Sequence, residues 1–177
     1  ANTAAWVYAP GASKLDHYHY RWVAKARGGV RLIEAPKENL RFIQRRILRE
    51  ILDRVPVHEA AYGCVRGRSA VSNSRLHSAS PLLLKLDLRD FFVSIPGARV
   101  HAMFRTLGYP QETARYLSGL STHNTPARVL REVPQEEYPS PEEHRHRKEW
   151  ARQFTGRHLP QGAPTSPALA NLCAYRL

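Results

Sequence analysis

An α+β fold is predicted by three features of the sequence. They are an alternating aromatic stretch that folds back on itself, a long helix with regular apolar spacing, and a short apolar run ending in an aspartate. His17-Tyr18-His19-Tyr20-Arg21-Trp22-Val23 alternates in the period of a strand. Ala26-Arg27-Gly28-Gly29 supplies a turn and Val30-Arg31-Leu32-Ile33 a returning strand. Pro36 then opens a helix that must stop before Pro56, with Leu40, Ile43, Ile47 and Ile51 on its apolar face.

Residues 57–80 carry glycines and serines without periodicity and read as loop. Leu82-Leu83-Leu84-Lys85-Leu86 reads as a buried strand. A helix from about Ala98 to Leu107 stops at Gly108, and Pro110 starts another. Residues 121–157 are rich in proline and charge and read as an insertion ending in one short helix. Leu159 to Pro164 is a turn-rich loop. Ser166-Pro167 starts a last helix, expected to continue to Leu177.

The 177 residues include 27 Lys+Arg against 15 Asp+Glu, a net charge of +12. Hydrophobic residues make up 42%, enough for a core without disulfides. No apolar run approaches the length of a membrane span, and no leader pattern is visible, so a cytoplasmic protein is expected. Cys64 and Cys173 stand far apart, outside any zinc or disulfide pattern. The strong positive charge points to a polyanion, with nucleic acid foremost. Lys37, Arg41, Arg45 and Arg49 recur every fourth residue and share one helix face. Like charges at that spacing repel, and a phosphate backbone laid along them would relieve the repulsion.

Two segments carry candidate chemistry. In Leu84-Lys85-Leu86-Asp87-Leu88-Arg89-Asp90-Phe91-Phe92, an acid at a strand end can hold Mg²⁺ for phosphoryl chemistry, or simply cap a helix. Asp90 reads as a cap or a surface carboxylate. In Leu159-Pro160-Gln161-Gly162-Ala163-Pro164-Thr165-Ser166-Pro167, three prolines and a glycine make a rigid loop ahead of a helix. Such a loop can present Gln161 and backbone N–H groups to a nucleotide.

Taken together and in this order, the two segments resemble the reverse transcriptases of bacterial retrons, from about His17 to Leu177. Leu86 to Phe92 is similar to the first catalytic motif of that family. Leu159 to Pro167, followed by Leu169-Ala170-Asn171-Leu172, is similar to its nucleotide-binding motif. Arg66-Gly67-Arg68-Ser69 resembles the turn upstream of the catalytic strand. Asn73-Ser74-Arg75-Leu76-His77 is similar to the retron mark Asn-Ala-x-x-His, with Ser74 in place of alanine.

The resemblance implies right-hand polymerase fingers and a partial palm, built of small antiparallel sheets backed by helices, with the thumb absent. On that division residues 1–80 form the N-terminal segment and fingers, and 81–120 the first part of the palm. Residues 121–157 form an insertion, and 158–177 the nucleotide loop and the start of a palm helix. It implies that Asp87 is a catalytic ligand to two Mg²⁺ ions, or Mn²⁺, with the Leu88 carbonyl beside it. Phe92 would exclude a 2′-hydroxyl, and Gln161 with Gly162 would meet the incoming deoxynucleotide. Lys25 and Arg31 would clamp its triphosphate, and Asn73 and His77 would serve the retron-specific region. The implied partners are a structured noncoding RNA that is template and primer, its DNA product and an effector protein, in phage defence. The Tyr-x-Asp-Asp turn that supplies two more carboxylates in the family does not occur in these 177 residues. This stretch alone is therefore expected not to polymerise. The alternatives are a group II intron-like or other bacterial reverse transcriptase, or an RNA-binding fragment without catalysis.

Overall fold

The computed structural model describes residues 16–25, 30–134 and 151–175. Strands β1 (Tyr18–Ala24) and β2 (Val30–Pro36) form an antiparallel pair with Tyr18 opposite Pro36 and Ala24 opposite Val30. The turn expected at Ala26–Gly29 lies outside the described residues. In β2 the inward register is Leu32, Glu34 and Pro36, all buried.

Helix α1 (Glu38–Glu50) follows at once, and a single 3₁₀ turn, Leu52–Arg54, closes it before Pro56. Glu38 in its first turn and Arg49 in its last complement the helix dipole. Leu40, Gln44 and Ile47 are its buried positions. Gln44 is fully buried, and its Nε2 donates to the Tyr18 hydroxyl (3.2 Å) and to the Leu120 carbonyl (2.8 Å). One side chain thus ties β1, α1 and a later helix together.

Helix α2 (Ala70–His77) lies where the sequence reads as loop. No residue on it is buried, so no apolar stripe could announce it. A reciprocal cap makes it instead: Ser69 Oγ accepts from Ser72 N (3.1 Å) while Ser72 Oγ accepts from Ser69 N (2.8 Å). Helices α3 (Gly97–Thr106) and α4 (Gln111–Ser121) pack on each other and α4 also packs on α1, with Val100 and Phe104 of α3 fully buried in the core. Short helix α5 (Ala127–Arg131) and a helical stretch at 151–155 bring Val129 and Phe154 onto Leu32 under the hairpin. Both ends of the 121–157 segment are therefore built into the core, while 135–150 lie outside the described residues. Helix α6 (Ser166–Cys173) closes the order; it ends at Cys173 rather than continuing to Leu177. No helix among the described residues is long and apolar enough to cross a membrane.

A further expectation is overturned. Residues 82–88 form no strand, and Leu82, Leu83, Leu84, Leu86 and Leu88 are all exposed, Leu82 at 84%. A strand persists only where its N–H and C=O groups find a neighbouring strand. Among the described residues the hairpin is the one sheet, and no strand lies alongside 82–88. Mixed helix and sheet is therefore the observed class, and the second sheet, expected around Asp87, is not formed by these residues.

Candidate nucleotide and metal site

Three distant segments meet at one cleft of about 620 Å³. The hairpin brings Lys25 and Arg31, one from the end of β1 and one from the start of β2. Residues 87–93 bring Asp87, Leu88 and Phe92, and the proline loop brings Gln161. Gly162, the next residue, lies against Ile33 and Glu34 of β2.

The proline loop is held from both sides. Leu159 N donates to Ile95 O (3.3 Å), and His158 and His123 exchange N–H···O bonds of 3.0 and 2.9 Å. Gly97 N donates to Arg157 O (2.7 Å); a Cβ at Gly97 would sit 2.9 Å from that of Arg157, so only glycine allows this crossing. Ser166 Oγ donates to the Pro160 carbonyl (2.7 Å), fixing the loop to the first turn of α6. Glu34 N donates to Gln161 O (2.8 Å), so the loop runs along β2.

The 87–93 segment is shaped by turns. Asp90 has φ +51°, a left-handed conformation that aspartate tolerates. Its carboxylate lies 3.5 Å from Lys25 Nζ. This contact ties the hairpin tip to the candidate metal segment, and Asp90 faces the cleft rather than open solvent. Asp87 is exposed and Phe92 half-buried against the main core.

The remaining predicted residues fall elsewhere. Lys37 precedes α1, and Arg41, Arg45 and Arg49 are exposed along it, away from the cleft lining. Asn73 and His77, four residues apart on α2, share one face of that helix, also away from the cleft. Upstream of it, Gly67 has φ +78°, and Arg68 Nη1 donates to the carbonyls of His58, Glu59 and Ala61. That turn is a pin for the 58–61 loop. Cys64 and Cys173 are free thiols, and burial pushes that of Cys173 up.

A buried polar cluster that meets the cleft at Glu34 escaped the sequence reading. Glu34 is fully buried; its Oε1 accepts from Thr125 Oγ1 (2.6 Å) and its Oε2 lies 2.8 Å from His158 Nε2. His158 is also buried, and its Nδ1 lies 2.9 Å from Gly156 O. His123 lies on the outer side, with Nε2 2.9 Å from the Tyr20 hydroxyl and 3.9 Å from Glu34 Oε1. Burial lowers the His123 pKa to about 4, against a smaller opposing pull from Glu34. The available signal was Glu34 itself, an acid in the inward register of a strand, which requires a buried partner.

The residues that could hold a metal are Asp87 and the Leu88 carbonyl, hard oxygen donors of the kind Mg²⁺ takes. Among the described residues no three His, Cys, Asp or Glu side chains come together as a complete ligand set. The donors therefore fit as one part of a site, not the whole of it.

Comparison with known proteins places the chain in a family. The family described as reverse transcriptase (RNA-dependent DNA polymerase) matches residues 23–177. The retron Mx162 reverse transcriptase of Myxococcus xanthus is 36% identical over 170 residues, covering 91% of this chain and 30% of that relative. The retron Mx65 reverse transcriptase of the same organism is 37% identical, covering 93% of this chain and 35% of that protein. The retron Ec86 reverse transcriptase of Escherichia coli is 27% identical, covering 84% and 36%. The chain thus spans about a third of the length of these relatives. It belongs to the reverse transcriptase family and is similar to the retron members of it.

Proposed function

We propose that these residues are the fingers and first palm portion of a retron-type reverse transcriptase that copies a structured noncoding RNA into DNA. The observation that carries the reading is the convergence of Lys25, Arg31, Asp87, Phe92 and Gln161, from three separate segments, on one cleft. Arg31 offers a fork and Lys25 a point charge to the phosphates of an incoming deoxynucleotide. Phe92 lies under the sugar, where its ring excludes a 2′-hydroxyl, and Gln161 and Gly162 border the sugar and base. Asp87 and the Leu88 carbonyl supply the first oxygen ligands for two Mg²⁺ ions. When bound, such ions lower the pKa of a primer hydroxyl and stabilise the leaving pyrophosphate. The chain's own share is placement and charge compensation.

The basic face of α1 binds the RNA backbone, and Asn73 and His77 on α2 mark the surface for the retron-specific RNA. An effector protein and a role in phage defence follow from kinship with retron enzymes alone. The test is primer extension on a structured RNA with Mg²⁺ and four deoxynucleotides. A polypeptide carrying these residues together with a Tyr-x-Asp-Asp turn should extend the primer, and Asp87→Asn should abolish extension. Residues 1–177 alone, with one of the three carboxylates, should not extend it. Full activity in Asp87→Asn would refute the assignment.

A further inference from the structure

We propose that Glu34 is a positioning residue that sets the gap between the two walls of the cleft. The inference rests on the nucleotide reading above and adds a residue to it. Glu34 joins the wall carrying Arg31 to the wall carrying Gln161 by both backbone and side chain. Its N–H donates to Gln161 O at 2.8 Å. Its carboxylate reaches Thr125 Oγ1 at 2.6 Å and His158 Nε2 at 2.8 Å. His158 lies 124 residues away in sequence and only three before Gln161. Arg31 lies three before Glu34 on the same strand.

The chemistry makes this junction rigid. Both ring nitrogens of His158 face oxygens, so a proton must lie between Nε2 and Glu34 Oε2 for that contact to attract. A hydrogen bond to an ionised carboxylate is shorter and about twice as strong as one between neutral groups. Side-chain exposure of both partners is 1%, so water does not compete for it. A charge left alone there would be costly, so neither partner can leave without the other. The distance from Arg31 to Gln161 is then set by this pair rather than by solvated side chains at the cleft mouth. A triphosphate held at one wall finds its sugar and base already facing the other.

The experiment is a titration of the 177-residue chain with dGTP and Mg²⁺, alongside titration with a structured RNA and a thermal melt. The variants are Glu34→Ala, Glu34→Gln and Thr125→Val. Glu34→Ala should weaken dGTP binding about tenfold, because Gln161 and Arg31 would no longer be held at the matching separation. RNA binding through α1 should stay unchanged. Glu34→Gln keeps an acceptor for Thr125 and a donor for a neutral His158, and should restore dGTP affinity. If Glu34→Ala loses its cooperative melt, Thr125→Val carries the test, with a smaller loss confined to dGTP. Equal losses for dGTP and RNA, or unchanged dGTP affinity in a folded variant, would overturn the positioning role. So would failure of Gln to restore it. Absence of dGTP binding by the unmutated chain would overturn the nucleotide reading itself and this inference with it.

Discussion

A Cβ placed on Gly162 would lie 3.1 Å from the carbonyl oxygen of Glu34 and 3.2 Å from Cγ2 of Ile33. Gly162 also has φ +128°, where other residues are strained. The proline loop can lie along β2 only because this position lacks a side chain. Gly162→Ala should cost about 1–3 kcal/mol in strain. It should lower the melting temperature by several degrees and weaken deoxynucleotide binding. A melt and a titration on the same variant check both.

Phe104 is fully buried between α3, α4 and the main core, edge-on to Tyr109 at 6.1 Å between ring centres. Phe104→Ala should destabilise the chain by about 3–5 kcal/mol, from lost burial plus the cavity left behind. Urea unfolding should show a lower midpoint with little change in slope.

Acid should weaken the fold through His123. Burial holds its imidazole at about 4, below the ordinary 6.5. Between those values the unfolded chain takes up a proton that the folded chain excludes, so acidification favours unfolding. The contribution is complete above pH 6.5 and is lost as the pH falls toward 4, at no more than about 1.4 kcal/mol per pH unit. His123→Gln, which cannot take up that proton, should show a shallower loss of stability from pH 7 to 4.5 in parallel melts.

RNA binding should depend on salt through α1. Arg41→Ala with Arg45→Ala removes two exposed cations from one helix face. The slope of log affinity against log salt should flatten by about 1.5, since each lost phosphate contact removes about 0.7–0.9. Binding titrations at several salt concentrations read this directly, and an unchanged slope would place the RNA elsewhere.

The hairpin and most helices are legible in the sequence because each is marked by its own local pattern. Alternation marks Tyr18 to Val23, apolar spacing between Pro36 and Pro56 marks α1, and Gly108 and Pro110 mark the end of α3 and the start of α4. Helix α2 was invisible because its specification is a pair of serines, not a stripe. The run Leu82 to Leu86 misled for a related reason: apolar composition says that a segment should be covered, and coverage depends on a neighbour the segment does not encode. At the cleft, the lining residues stood out because they lie in short motifs. The support behind them did not, since Glu34, Thr125 and His158 sit in three unrelated stretches and meet only in the fold.

The most direct measurement is calorimetric titration of the chain with dGTP and Mg²⁺, for the unmutated protein and for Arg31→Ala and Asp87→Asn. Saturable binding to the unmutated chain is expected, weakened about tenfold by Arg31→Ala through one lost charge-assisted contact. Asp87→Asn should remove the Mg²⁺ dependence of that binding. Equal affinity in all three proteins, or none in any, would contradict a nucleotide site in this cleft.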